Sequence, residues 1–255
     1  MMRIWRVAVL ALTALTMAGC SSGGLFRQYE YEEDITLALD GTATIYVNAS
    51  LAALDALRGA SFDTRPNARI DREAVRKFFT TPVTRVAQLS QARRSGRRFV
   101  YVRVEVDDIR RLGAAPPFQW SRYEFRREGD TFVYQQTLGA SAGKSVGDVG
   151  WTGQELVSFR LHLPSKITYH TNNNGVDNYL RGNILIWEQP LTARLAGTPL
   201  LLEARMQTQS ILYRTILLFG GTFVAVAATF VVVIALVLRG GKKKAGGAGE
   251  AGRAG

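Results

Sequence analysis

Four arginines crowd one short turn: Arg93, Arg94, Arg97 and Arg98 surround Ser95-Gly96. Guanidinium groups at that density form a cationic tip that could touch anionic headgroups or acidic envelope polymers, each charge contributing up to ~1 kcal/mol near an anionic surface. The plainer reading is a hairpin end kept soluble by its charge. Ser141-Ala142-Gly143-Lys144 has a serine–lysine spacing used in acyl transfer, but the companion SDN-like and KTG-like elements are absent. Gly139 to Ser145 resembles a phosphate-binding loop but has one residue too few between its glycines. The stretch Gly139–Gly150 is therefore read as a flexible polar loop. His162 and His170 are the sole histidines and fall on or beside one expected strand. At strand rise they stand over ~20 Å apart, too far to share a metal ion. Carboxylates are scattered, with no acid–base pair among them. Trp120, Trp151 and Trp187 are expected in the core or at its rim, with ligand stacking as the alternative. No catalytic residue, metal or cofactor site is expected.

The remaining reactive residue, Cys20, is the single cysteine, so no disulfide can form within the chain. It follows a basic start with Arg3 and Arg6, the apolar run Val7–Thr16, and the small residues Ala18 and Gly19. That run is too short to span a bilayer and has the layout of a secretory signal peptide. Met17-Ala18-Gly19-Cys20 resembles the lipobox of bacterial lipoproteins, which implies an acylated Cys20 as the mature N-terminus. Met17 stands where Leu is usual. At the other end, Thr215–Leu238 contains no charge and is bracketed by Arg214 and Arg239. As a helix it would measure about 36 Å, enough to cross a ~30 Å hydrocarbon core. Lys242, Lys243 and Lys244 follow and mark the cytoplasmic flank. The formal net charge is +11, but residues 20–213 hold 24 basic and 20 acidic residues. More than half of the excess sits at the ends, which removes the main support for nucleic-acid binding.

These signals divide the chain into a signal peptide (1–19), a lipidated linker (20–24), an exported domain (25–208), a transmembrane helix (212–239) and a disordered basic tail (240–255). Within the domain, Glu30–Val47 alternates so that Ile35, Leu37, Ala43, Ile45 and Val47 share one face. A three-residue loop, Leu39-Asp40-Gly41, pairs Leu37 with Ala43 and needs a left-handed third residue, which Gly41 supplies. Ser50 caps a helix over Ser50–Leu57 that Gly59 ends, and Asp71 starts a second that runs to Phe79. Hairpins are expected over Thr84–Gln91/Arg98–Val106 and Gln119–Arg127/Thr131–Leu138, the second turning through Glu128-Gly129-Asp130. A short helix covers Asp107–Leu112. Leu156–Tyr169, Gly182–Trp187 and Pro199–Gln207 read as strands, with a short helix near Leu191–Leu195. The fold class is α+β: a mostly antiparallel sheet with short helices, plus one C-terminal transmembrane helix. Short tethers at both ends further imply that the first and last strands begin and end on the membrane-proximal side.

Pro164-Ser165-Lys166-Ile167, an Asn-rich turn with Asn173 and Gly175, and Gly182-Asn183-Ile184-Leu185-Ile186-Trp187 resemble the late part of LppM-type bacterial lipoprotein domains. Ser165 stands where Gly is usual, and the connection before Gly182 is longer. The overall plan of lipobox, exported domain, membrane helix and basic tail is similar too. The resemblance implies an envelope protein with lipid or glycolipid binding, and it brings no catalytic residue. The leading expectation is a non-enzymatic membrane-anchored lipoprotein whose exported domain binds a lipid, a glycolipid or an envelope partner. A structural or assembly subunit of a membrane complex is the alternative. The expected location is the cytoplasmic (inner) membrane, with the domain on the exoplasmic or periplasmic face and the C-terminus in the cytoplasm.

Overall fold

The computed structural model describes residues 27–65, 67–171 and 183–245. Cys20, the expected signal peptide, residues 172–182 (with Asn173, Gly175 and Gly182) and the tail from 246 lie outside the described residues.

The chain opens with β1 (Tyr29–Leu37) and β2 (Ala43–Ser50), paired so that Leu37 faces Ala43 and Ile35 faces Ile45. Ala38 N–H bonds the Thr42 carbonyl at 2.9 Å, leaving residues 39–41 as the loop, with Gly41 at φ +93°. This is the expected register, set by the left-handed third position. Helix α1 (Leu51–Arg58) follows directly, its N-cap Ser50 accepting from Ala53 N–H and Gly59 closing it at φ +72°. Every residue of α1 is buried, including Asp55 and Arg58. Helix α2 (Arg72–Phe79) is capped by Asp71 and buries only Val75 and Phe79.

Strands β3 (Thr84–Arg94) and β4 (Arg97–Val106) form a hairpin that stays paired up to the two-residue turn Ser95-Gly96. Two 3₁₀ turns, Ile109–Ala114 and Pro116–Phe118, lead to β5 (Ser121–Glu128) and β6 (Thr131–Leu138). Glu128 pairs with Thr131, so that turn has two residues rather than the expected three, with Gly129 at φ +57°.

The expected strand Leu156–Tyr169 is two strands: β7 (Leu156–His162) and β8 (Ser165–His170). Pro164 lacks the N–H a continuous ladder needs, and the chain changes sheet there. Strand β9 (Ile184–Pro190), helix α3 (Leu191–Leu195) and β10 (Leu200–Ser210) complete the domain. One sheet has six strands in the order β3-β4-β2-β1-β7-β9, the other four in the order β5-β6-β10-β8. Only the β1–β7 pairing is parallel among the strand pairs of the described residues. A single apolar cluster draws on both sheets, from Ile45, Val102 and Trp187 to Tyr134 and Leu202. The α+β class is as expected.

The apolar helix α4 (Ile211–Ala245) continues straight from β10 and runs past Leu238, so that Lys242–Lys244 lie in its last turns. Its segment Ile211–Leu236 has a mean hydropathy of 2.5 and is unburied, long and apolar enough to cross a membrane. Its first N–H, on Ile211, bonds the Pro164 carbonyl at 3.1 Å. Pro164 lies just beyond His162, which pairs with Thr36 near the end of β1. The start of β1, at Tyr29 opposite Leu156, is therefore at the other end of the larger sheet. This overturns the expectation that the first strand starts and the last strand ends on one side. The parallel β1–β7 pairing, which local sequence does not announce, carries the chain to the far pole before it turns into β8.

Candidate functional site

The arginine turn is built by its hairpin. Ser95 and Gly96 both adopt positive φ, +48° and +75°, the geometry of a tight turn that matches strand twist. Register then sets Arg94 opposite Arg97 and Arg93 opposite Arg98. Because side chains alternate across a strand, the two pairs point to opposite faces of the sheet. The four arginines are thus not one flat cationic surface.

Arg97 folds over the sheet, its side chain 10% exposed, and bonds the fully buried Glu30 of β1 at 2.9 Å. It also donates to the Gly150 carbonyl at 2.7 Å. Arg94 donates to Asn48 Oδ1 at 2.6 Å and lies 4.4 Å over the Phe99 ring. On the other face, buried Arg98 donates to the carbonyls of Ala68, at 2.8 Å, and Asp63. Burial draws the Arg98 guanidinium down; Asp63 works against that, while Arg93 and Arg65 add to it. Arg93 stays exposed, with Asn67 Oδ1 at 3.4 Å. Two of the four arginines therefore brace the fold, and two face solvent.

Clefts flank the turn on both sides. One, of about 540 Å³, lies between β3 and residues 67–72 and is lined by Arg69, Arg72, Arg93 and Arg98, with no acidic residue among the described residues of its wall. The other, of about 630 Å³, brings Arg65, Arg97 and Arg98 to Ser50 at the start of α1, with Asp148 the one acid among its described residues. Both volumes suit a small ligand or a headgroup. Arg65, Arg69 and Arg72 were not singled out from the sequence. They lie far from the turn along the chain, and only the fold of 63–72 against β3 joins them to it. Arg72 and Arg76 also donate to the carbonyls of Leu89 and Val86, covering the edge strand β3.

The other chemical candidates separate. His162 sits in the larger sheet, 2.9 Å from Asp34, and His170 in the smaller one. Ser141 Oγ bonds the Leu195 carbonyl at 3.3 Å, whereas Lys144 Nζ bonds the Ala60 carbonyl at 2.7 Å and Ser61 at 2.8 Å. The loop expected to be flexible is thus pinned beside the end of α1. Trp187 is fully buried, Trp120 nearly so, and Trp151 donates to Glu30 at 3.1 Å from the rim. Among the described residues no three His, Cys, Asp or Glu side chains converge as metal ligands.

A buried polar network escaped the sequence reading. Glu33 of β1 meets Arg58 of α1, and both side chains are essentially inaccessible. Glu33 also accepts from Tyr31 at 2.7 Å, Gln136 at 3.1 Å and Tyr123 at 3.3 Å, so the network joins the two sheets. Burial pushes the Glu33 carboxyl up to about 7, against the hydrogen bonds from Gln136 and Tyr123. Burial likewise draws the Arg58 guanidinium down to about 9. The signal was parity: Glu33 shares the inward register of Ile35 and Leu37.

No family model matches this chain, and no curated protein matches it. Among solved structures, the NMR structure of the folded domain of Mycobacterium tuberculosis LppM is similar to it. The two are 10% identical over 73% of this chain and 94% of that one, with a TM-score of 0.40. The likeness is weak.

Proposed function

We propose that this chain is a non-enzymatic, membrane-anchored envelope lipoprotein whose exported domain contacts anionic headgroups or glycolipids through its arginine turn. The observation that carries this reading is the Arg97–Glu30 ion pair. It places the arginine turn at the end of the sheet where β1 begins, and only residues 21–28 separate that end from Cys20. Eight residues reach at most ~29 Å, so an acyl chain on Cys20 would hold the exposed Arg93 and Arg94 close to headgroups. Helix α4 supplies the second anchor, with its lysines on the cytoplasmic side. The contact is with the surface of the domain: the arginine-lined clefts are open, and the interior is packed with apolar side chains.

The test uses the acylated full-length protein with a fluorophore on Ser95→Cys, reconstituted in vesicles without and with anionic lipid. Quenching of the fluorophore by headgroup-attached quenchers should rise with anionic lipid. The rise should fall with added salt and disappear in Arg93→Gln/Arg94→Gln. Quenching that is indifferent to lipid charge would reject the headgroup contact and leave the assembly-subunit reading.

A further inference from the structure

Around the domain, surface arginines meet carboxylates: Arg85 meets Glu105, Arg110 meets Asp108, Arg122 and Arg126 meet Glu124, and Arg160 meets Asp34. The cleft between β3 and residues 67–72 departs from that pattern. Arg69, Arg72, Arg93 and Arg98 all line it, with no carboxylate among the described residues of its wall. Arg69 and Arg72 form no ion pair among the described residues. The acids of this part of the chain are engaged elsewhere. Asp63 holds Arg65 at 2.7 Å, Asp71 caps α2 by accepting from Ala74 N–H at 3.0 Å, and Glu73 of α2 lies outside the wall. A cleft lined by one sign of charge concentrates the opposite sign from solution.

The fold itself holds three of these cations in place. Buried Arg98 donates to the carbonyls of Asp63 and, at 2.8 Å, Ala68, which ties both residues to β4. Arg72 donates to the Leu89 carbonyl at 2.8 Å, and Arg93 reaches Asn67 Oδ1 at 3.4 Å. These bonds set Arg69 and Arg72 on one wall, with Arg93 and Arg98 on the other. Arg69, Arg72 and Arg93 are all exposed, so a ligand in the cleft can reach them. Arg69 makes no hydrogen bond among the described residues, which leaves its whole donor fork available.

We infer that this cleft is a binding site for a phosphomonoester, its phosphate held between Arg69 and Arg72 on one wall and Arg93 on the other, with Arg98 adding its charge beside Arg93. A monoester brings close to two negative charges and three terminal oxygens, so it can accept from both walls at once. A diester brings one charge and two such oxygens, and it leaves more of the cleft uncompensated. The volume of about 540 Å³ admits a body the size of a headgroup. This deepens the headgroup reading, and the lipid source of the ligand rests on that reading. A soluble phosphate ester satisfies the same chemistry.

Two arms test this on the full-length protein. In vesicles, the Ser95→Cys fluorophore is compared in phosphatidic acid, a monoester, and phosphatidylglycerol, a diester, at matched surface potential. Quenching by headgroup-attached quenchers should be stronger with phosphatidic acid. Arg69→Gln should remove that difference and leave the rise common to both lipids. In detergent, glycerol phosphate should raise Tm saturably, and dimethyl phosphate at matched ionic strength should not. Arg69→Gln should weaken the glycerol phosphate response roughly tenfold, and Arg72→Gln should do the same. A monoester preference in vesicles assigns the site to a lipid headgroup, and a response in detergent alone assigns it to a soluble ester. Equal quenching by the two lipids with no glycerol phosphate response overturns the site and leaves the headgroup contact standing. No quenching rise with either lipid, alongside glycerol phosphate binding, rejects the headgroup contact and keeps the site. Arg69 braces nothing in the fold, so unchanged monoester affinity in Arg69→Gln also overturns the proposal.

Discussion

Glu33 shows how one residue's position in a strand decides its chemistry. A carboxylate on the outer face of β1, such as Glu32, meets solvent and Asn48. One position further on, the same group is buried against Arg58, Tyr31, Tyr123 and Gln136. Because burial lifts the folded-state value from the ordinary 4.5 to about 7, the folded chain holds this proton more tightly than the unfolded one. The stability it contributes is complete below the unfolded value and is lost as pH rises through about 7. Glu33→Gln, which keeps the shape without the charge, should remove that decline. The measurement is Tm in detergent across this range for both proteins. Equal slopes would mean that Arg58 keeps the carboxylate ionised throughout. Above about pH 7, where Glu33 ionises, Arg58→Met should cost about 3–5 kcal/mol, because it strands the carboxylate without its partner; a denaturant titration reads this directly.

The helices show which local signals suffice. Ser50 and Asp71 each accept from the backbone N–H three residues on, and each opens an eight-residue helix. Ser50→Ala and Asp71→Ala should each lower unfolding free energy by about 1 kcal/mol. As the two caps serve separate helices, the double variant should show the sum, again in denaturant unfolding. These elements were legible because cap, periodicity and stop are all local. The 39–41 loop was legible for the same reason, since its register follows from the position of Gly41. What escaped was non-local. Pro164 marks a break, but that β7 and β8 join different sheets depends on pairing with β1 and β10. The arginine turn was found as a cluster, yet its division into bracing and exposed pairs depends on Glu30 and on the carbonyls of Asp63 and Ala68. The network of Glu33, Arg58, Tyr123 and Gln136 gathers β1, α1, β5 and β6, and no spacing along the chain joins them.

For the whole molecule, the proposed anchoring gives the two ends of the domain separate roles. Cys20→Ala should abolish acyl labelling and leave the protein in the membrane through α4; release into the soluble fraction would show that Ile211–Leu236 is no anchor. A reporter fused after Gly255 should behave as cytoplasmic, and an exported reporter would reverse the orientation. Beyond retention, the acyl chain proposed on Cys20 would acquire a different task from the geometry. The levels of Tyr29 and Thr36 differ by seven steps, roughly 23 Å at strand rise, and α4 departs beside the Thr36 level. A body fastened at one point can swivel and tip, whereas a body fastened at two separated points turns only about the line between them, like a door on its hinges. Losing the lipid would therefore free the domain to tumble over its remaining stalk. Time-resolved anisotropy of the Ser95 fluorophore should show that added motion in the Cys20→Ala protein, with membrane retention unchanged.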